Sequence, residues 1–277
     1  MKESHLNRVL VPCDFKEESK IALNHALQLA SRTNAHVILL HITSDIKEAM
    51  SDGNRMDEWI SYAKTKYQGE ISSIVEHREL IEGIGEIASR ESCELIVMAT
   101  HGMRGWQHVT GSLALRVISE SKVPCIVVQQ REMRERGYQK IVIPIQWRTQ
   151  ILEEIPVIIQ LAKRFSSDVF LLGLKDDVSS AYLDLMEKVH EQFESEGIKV
   201  ATVIEEGGGN VAHKVTRYAA SVEADLICSI NFSYEYLYTL FPRAEEEDLI
   251  YNDAQIPVML LTPEIQVNQA YVVPLWH

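Results

Sequence analysis

The sequence lacks the features that mark several large protein classes. No apolar run approaches the roughly 20 residues that a membrane span needs, and the first residues lack the apolar stretch of a signal peptide. We therefore expect a cytoplasmic protein without a membrane partner. The four cysteines are scattered and form no C-x-x-C pair, and three of them lie in apolar runs. We expect them to be small buried side chains.

Basic residues are also scarce. Lys and Arg total 27 against 40 Asp and Glu, a formal charge of −13. Nonspecific nucleic-acid binding depends on clustered basic residues, so that function is not predicted. Residues 1–138 carry 17 basic and 19 acidic side chains (net −2), whereas residues 139–277 carry 10 and 21 (net −11). A polyphosphate ligand would be repelled less by the first half.

Familiar catalytic motifs are missing as well. The chain has no G-x-x-x-x-G-K-[S/T], no S-G-G-x-D-S and no H-x-G-H, so an adenylating enzyme is the least supported function. His41, His101 and His108 have no Cys or carboxylate beside them at ligand spacing, and no metal site is predicted. Asp14 ends an apolar run and is interpreted as a binding group or a helix cap rather than a base. We therefore predict no catalytic residues.

An internal repeat is present instead. Arg8–Asp14 aligns with Lys140–Gln146 at an offset of 132, and the same offset holds without a gap through Val37–Leu40 and Val169–Leu172. Later segments keep offsets of 131 and 133, as in Glu94 against Asp225 and Pro124 against Pro257. We predict domains at 1–130 and 139–264, a polar linker at 129–139 and a C-terminal tail at 265–277.

Each copy alternates short apolar runs, typical of strands buried on both faces, with longer amphipathic segments typical of helices. The fold class predicted is α/β, with two tandem open, mostly parallel, five-stranded sheets of the Rossmann-like type and helices on both faces. One helix is expected to start at Gly83, and another to follow Ser112. In the first copy the predicted strands are Val9–Pro12, Val37–Ile42, Ser72–Glu79, Leu95–Ala99 and Cys125–Val128.

Ligands of such sheets lie at the carboxyl ends of strands, near a switch in strand order. The loops after Pro12, Ile42 and Ala99 are therefore the candidate site. The last of these loops contains Gly102, Gly105 and Gly111 and runs through Ser112 into a helix. Glycines allow close approach of backbone amides to an anion, and a helix N-terminus attracts phosphate. A cradle for phosphate and a purely geometric turn are both compatible with this pattern.

Several short motifs together resemble the universal stress protein family. They are Val11-Pro-Cys-Asp-Phe, Leu39-Leu-His-Ile, Ile96-Val-Met-Ala-Thr-His-Gly, Gly111-Ser and Val123-Pro-Cys-Ile-Val-Val. They cover the first half, and the second half follows as a diverged copy. The resemblance implies a fold like that of the adenine nucleotide alpha hydrolases and a site for ATP, with Mg, in the first half.

Matched position by position, the resemblance also implies which residues bind. The adenosine positions are Pro12, Asp14 and Ile42. The family's phosphate loop is G-x-x-G, nine residues, then G-[S/T]; here Ala99 replaces the first glycine and eight residues separate Gly102 from Gly111. The implied phosphate positions are Met98, Ala99, Gly102, Gly111, Ser112 and Leu113.

The second copy departs further from the pattern. Gln146 replaces Asp14, the glycine turn becomes an aromatic segment after Ser229, and the acidic run Glu245–Asp248 would repel a triphosphate. Pro156 lies in the segment equivalent to the first helix, which predicts a later start or a kink. We expect this copy to be a structural partner without an ATP site.

Two functions of different classes follow. The first is a stress-response regulatory protein that binds ATP or a related adenine nucleotide through its first half, with at most slow hydrolysis. The second is a nucleotide-independent dimeric scaffold or chaperone-like module, which Ala99 and the shortened loop favour. A tandem chain also predicts an intramolecular pseudo-dimer of its two domains, and a further homodimer stays open.

Overall fold

The fold was analysed in a computed structural model of the 277-residue chain. The structure describes residues 6–43, 46–100, 117, 123–145, 151–175, 179–206, 209–230 and 248–261. The predicted tail at 265–277 lies outside these residues, as does nearly all of the helix expected after Ser112. Val117, the one described residue of that segment, is helical and fully buried.

Strands and helices alternate in both halves, as predicted. In the first half they are β1 (Arg8–Pro12), α1 (Glu17–Thr33), β2 (His36–Thr43), α2 (Ile46–Lys66), β3 (Ile71–His77), α3 (Leu80–Arg90), β4 (Leu95–Ala99) and β5 (Cys125–Val128). In the second half they are β6 (Lys140–Ile145), α4 (Ile151–Phe165), β7 (Asp168–Lys175), α5 (Ser180–Ser195), β8 (Val200–Glu206), α6 (Val211–Ser221), β9 (Leu226–Ile230) and β10 (Val258–Leu261).

The sheet confirms the repeat strand by strand. Strand order is β3-β2-β1-β4-β5 in the first half and β8-β7-β6-β9-β10 in the second, and all pairs within each half are parallel. Arg8 pairs with His36, and Lys140 pairs with Asp168, so the register agrees with the alignment of the two copies. The predicted α/β class with mostly parallel strands is therefore confirmed.

The two five-stranded sheets are joined into one sheet of ten strands. Strand β5 pairs antiparallel with β10, with Val127 opposite Val258 and Cys125 opposite Leu260. This pairing makes the predicted pseudo-dimer continuous at the level of backbone hydrogen bonds. Because the joint is antiparallel, the carboxyl ends of the first half's strands and those of the second half lie at opposite edges of the sheet.

Each face of the ten-stranded sheet carries a hydrophobic core that runs through both halves. Alternate residues of a strand enter opposite cores, so Val9 and Val11 pack on one face while Leu10 packs on the other. Helices α1, α2, α4 and α5 contribute to the first core, and α3 and α6 to the second. All four cysteines are free and buried, in line with the prediction of small buried side chains.

Two predicted boundaries were wrong by two or more residues. The third strand ends at His77 rather than Glu79, because Glu79 is the extended N-cap residue of α3. Helix α3 therefore begins at Leu80, and Gly83 lies inside it rather than at its start. A Cβ added at Gly83 would lie 2.8 Å from Cδ1 of Ile42, so this glycine allows the helix to pack closely on the end of β2.

Helix α4 contains Pro156 without ending there. The helix begins at Ile151, and the proline lies in its second turn. Proline has no N–H, so its ring displaces a helical hydrogen bond in this turn. The apolar side of α4 is nonetheless buried, including Ile155, Ile158 and Ala162.

The segment predicted as a linker is fixed to both halves. The ring of His25 on α1 contacts the Tyr138 hydroxyl through Nδ1 and the Arg131 carbonyl through Nε2, each at 2.9 Å. On the other side, Arg134 and Arg136 donate to Oδ1 of buried Asp225 at 3.1 and 3.0 Å. The connection therefore bridges α1 and the start of β9.

Among the described helices, none is both long and apolar enough to cross a membrane.

Candidate functional site

Strand β1 occupies the switch point of the first half. Its neighbours in the sheet are β2 on one side and β4 on the other, so the ends of all three strands meet at one edge. This arrangement brings together the predicted positions Pro12, Ile42 and Ala99. Open parallel sheets bind ligands at such an edge.

Asp14 follows β1 at this edge and is held by its own loop. Its Oδ1 accepts from Ser19 Oγ at 2.7 Å and from the Lys16 backbone N–H at 3.2 Å, while Oδ2 pairs with Lys16 Nζ at 2.9 Å. Asp14 is not the cap of the next helix, because Lys16 is the N-cap residue of α1. The carboxylate keeps 36% of its side-chain surface exposed, which leaves it accessible to a ligand.

The remaining predicted site residues differ in accessibility. Ile42 is half-buried, and it packs with the core beneath α3. Met98 is only 5% exposed and belongs to that core, so its side chain lines the sheet rather than the surface. Ala99 is half-buried at the end of β4. Four predicted phosphate positions lie outside the described residues: Gly102, Gly111, Ser112 and Leu113.

The loop that carries Asp14 contains a strained residue. Phe15 has φ of 61°, the left-handed conformation that bulky residues rarely adopt. Its ring lies 4.4 Å from the His41 ring and 5.9 Å from that of Trp59, and the Arg55 guanidinium lies 4.1 Å from its centroid. These contacts compensate the strain, a combination found at functional sites.

A buried polar chain lies beneath the loop. The ring of His41 contacts the Cys13 carbonyl through Nδ1 at 2.8 Å and Asp52 Oδ2 through Nε2 at 3.0 Å. Arg55 pairs with the other Asp52 oxygen at 3.2 Å. Sequence reasoning considered His41 only as a metal ligand and missed this role. The usable signal was a histidine at the end of an apolar strand, where a buried imidazole needs partners.

The thiol of Cys13 also lies at this edge. Burial and the neighbouring Asp14 raise the pKa of the Cys13 thiol to about 12, so it stays protonated and is a poor nucleophile. Within the described ranges, no three His, Cys, Asp or Glu side chains converge as metal ligands. His101 and His108 lie outside those ranges.

The second half satisfies the equivalent carbonyl differently. Ile145 corresponds to Cys13, and its carbonyl accepts from the Tyr182 hydroxyl of α5 at 2.8 Å. Gly173 corresponds to His41, and a Cβ there would lie 3.0 Å from that hydroxyl oxygen. The tyrosine therefore occupies the space that the histidine fills in the first half. Gln146, the counterpart of Asp14, lies outside the described residues.

Comparison with known proteins agrees with this architecture. Residues 5–129 match the family model of the universal stress proteins. Universal stress protein MJ0531 of Methanocaldococcus jannaschii is 26% identical over 145 residues, covering 46% of this chain and 85% of that protein. MJ0577 of the same organism is 24% identical over 154 residues, covering 45% and 95%. Residues 5–129 of this chain therefore form a universal stress protein domain.

A solved structure matches nearly the whole length. A universal stress protein from Archaeoglobus fulgidus superposes with a TM-score of 0.70 at 15% identity, covering 94% of this chain and 97% of that one. At this identity the likeness concerns the fold alone. It extends over both halves, in agreement with the repeat.

Proposed function

We propose that the first half, residues 1–130, binds ATP or a related adenine nucleotide, with Mg, at the carboxyl ends of β1, β2 and β4. The observation that carries the proposal is the half-exposed Asp14 carboxylate, which its own loop fixes at the switch point of the sheet. The resemblance of the Gly102 to Ser112 segment to the family's phosphate loop agrees with it. The protein would act in the cytoplasm as a stress-response regulator whose state follows nucleotide occupancy.

In this proposal the second half, residues 139–264, is a partner domain without a nucleotide site. Its charge of −11 disfavours a polyphosphate, and Gln146 has no carboxylate to bind an adenosine hydroxyl or amine. Catalysis is confined to slow ATP hydrolysis at most.

Calorimetric titration with Mg-ATP and with ADP tests the proposal. We expect one site per chain, weakened at least about tenfold by Asp14→Ala, because a hydrogen bond to a charged group contributes about 1.5–3 kcal/mol. Gln146→Ala, at the equivalent position of the second half, is the matched control and should bind as the unmodified protein does. Gly111→Val combined with Ser112→Ala should abolish binding.

The alternative is the nucleotide-independent scaffold. Ala99 at the position of the family's first glycine favours it, because a methyl group there restricts the approach of a phosphate. Absence of both heat and thermal shift at millimolar ATP would contradict the nucleotide site and leave this alternative. A homodimer would then need a surface other than the edges of β5 and β10, which pair with each other within the chain.

A further inference from the structure

We propose that His41 is a positioning residue that is held as an imidazolium between Asp52 and the Cys13 carbonyl, and that this contact fixes the loop bearing Asp14. Its charge state follows from the geometry alone. Its consequence for a ligand rests on the proposed nucleotide site.

The charge state follows from the two partners of the ring. A carbonyl oxygen can only accept, so the contact of Nδ1 with Cys13 requires a proton on Nδ1. The second contact joins Nε2 to a carboxylate that also pairs with Arg55. Without a proton between Nε2 and Asp52, a nitrogen lone pair would face a carboxylate oxygen at 3.0 Å. A proton therefore lies between Nε2 and Asp52, and we place it on the ring because the carboxylate form of Asp52 is the form that pairs with Arg55.

A second buried histidine in this chain shows the opposite arrangement. The Nε2 of His25 faces the Arg131 carbonyl, but its Nδ1 faces the Tyr138 hydroxyl, which can donate. A single proton on Nε2 satisfies every partner, and burial lowers the pKa of His25 to about 4. The protein thus provides its own reference for a neutral buried imidazole.

The surroundings of His41 suit a cation. The ring of Phe15 lies 4.4 Å away, close enough for a cation–π contact. Asp52 lies beside Nε2 on α2, and Asp14 lies one residue beyond the Cys13 carbonyl. The other titratable or charged groups facing this region are Arg55 on α2, Lys16 and the Cys13 thiol on the loop, and His77 on β3, which contacts the Thr43 carbonyl.

The contact acts on the loop because Cys13 directly precedes Asp14. Its carbonyl belongs to the peptide unit that carries the Asp14 N–H, so fixing that oxygen fixes the start of the loop. The donor from Tyr182 to Ile145 in the second half indicates that this carbonyl needs a partner in both copies. The charged donor His41 is found in the first half only. The first half is also the one in which an aspartate follows the carbonyl, since Asp14 is replaced by Gln146 in the second half.

Ring-nitrogen NMR of the full chain at pH 7, without nucleotide, tests the charge state. We expect His41 to show two protonated nitrogens and His25 to show one. In Asp52→Asn the amide can donate to Nε2, so His41 should become singly protonated while keeping its bond to Cys13. A singly protonated His41 in the unmodified protein would overturn the proposal.

Two substitutions test positioning. His41→Asn places an amide near Nδ1 and can keep the Cys13 contact, whereas His41→Gln reaches toward Asp52 and loses it. We expect His41→Gln to weaken ATP binding about tenfold and to speed hydrogen exchange of the Lys16 amide by a similar factor, and His41→Asn to change either by less than about threefold. Equal effects from both variants would contradict a positioning role.

The two proposals fail separately. If the unmodified protein binds no nucleotide, the proposed function is wrong, but the ring spectra and the exchange of the Lys16 amide still decide the role of His41. If nucleotide binds and His41→Gln binds it equally well, the site stands and the positioning role falls.

Discussion

The two halves of the chain share strand order and register but differ in the polar groups at their strand ends. The first half has a charged chain of Asp52, His41 and the Cys13 carbonyl at a strand end, whereas the second half has the neutral pair of Tyr182 and the Ile145 carbonyl. In both halves the carbonyl at the end of the first strand accepts a side-chain hydrogen bond, so the fold needs a donor there but does not need a charged one. The charged donor is therefore a feature of the first half alone.

The largest expected effect on stability comes from the residues that precede β4 and β9, which are Glu94 and Asp225. Glu94 is exposed and contacts Asn7. The side chain of its counterpart Asp225 is only 3% exposed and accepts from Arg134, Arg136 and the Lys140 backbone N–H. Replacing Asp225 by Asn leaves arginines facing one another without a counter-charge. We expect a loss of about 3–5 kcal/mol in the free energy of unfolding, measured in urea.

Glu94→Gln is the matched control for that experiment. Because an exposed pair contributes little, its cost should stay under about 1 kcal/mol. If Asp225→Asn and Glu94→Gln lower the free energy of unfolding by similar amounts, the burial of Asp225 does not make its ion pairs stronger than those of exposed Glu94.

The second effect concerns His25, whose counterpart Val157 is 37% exposed. The pKa of His25 is about 4 in the folded chain against 6.5 in the unfolded one, so the unfolded state binds the proton first as pH falls. Stability is therefore complete above pH 6.5 and declines toward pH 4, by up to about 3 kcal/mol. Unfolding curves of the unmodified protein and of His25→Gln across this range should converge at low pH; parallel curves would contradict the assignment.

The third effect concerns the neutral donor of the second half. Tyr182→Phe removes the hydroxyl that serves the buried Ile145 carbonyl. We expect a loss of about 1–2 kcal/mol in the free energy of unfolding, because an unsatisfied buried acceptor is costly. ATP affinity should not change. A fall in affinity would show that the second half takes part in the nucleotide site.

The smallest effect concerns two glycines. In Gly173→Ala the new methyl would lie 3.0 Å from the Tyr182 hydroxyl oxygen and 3.1 Å from Ile204, and we expect a loss of about 1 kcal/mol. A Cβ added at Gly53 in α2 would have no atom of the described residues within 4 Å, so Gly53→Ala should instead raise stability by about 0.5–1 kcal/mol. Thermal unfolding measures both variants: the midpoint temperature should fall in Gly173→Ala and rise in Gly53→Ala.

Much of the fold was predictable because buried strands are read directly from apolar runs, and the repeat confirms each assignment. The joint between β5 and β10 was predicted only as a pseudo-dimer. Its pairing could not be derived, since two short apolar strands carry no signal of their partner. The start of α3 was missed because Gly83 was interpreted as a helix boundary, whereas it permits close packing on Ile42.

The strand order of the first half was predictable, but the detail of the candidate site was not. The switch point follows from that strand order, and Asp14 lies at its edge, while its role in binding stays a prediction. The left-handed Phe15 and the contact of Asp52 with His41 depend on how α2 packs against the loop. Such packing is a tertiary property, and no local spacing encodes it.

The antiparallel joint between β5 and β10 also determines where the two carboxyl-end edges of the sheet lie relative to each other. The two carboxyl-end edges lie at opposite sides of the sheet, so a ligand at the proposed first-half site would leave the second-half edge uncovered. Any communication between them has to pass through the sheet and its shared cores.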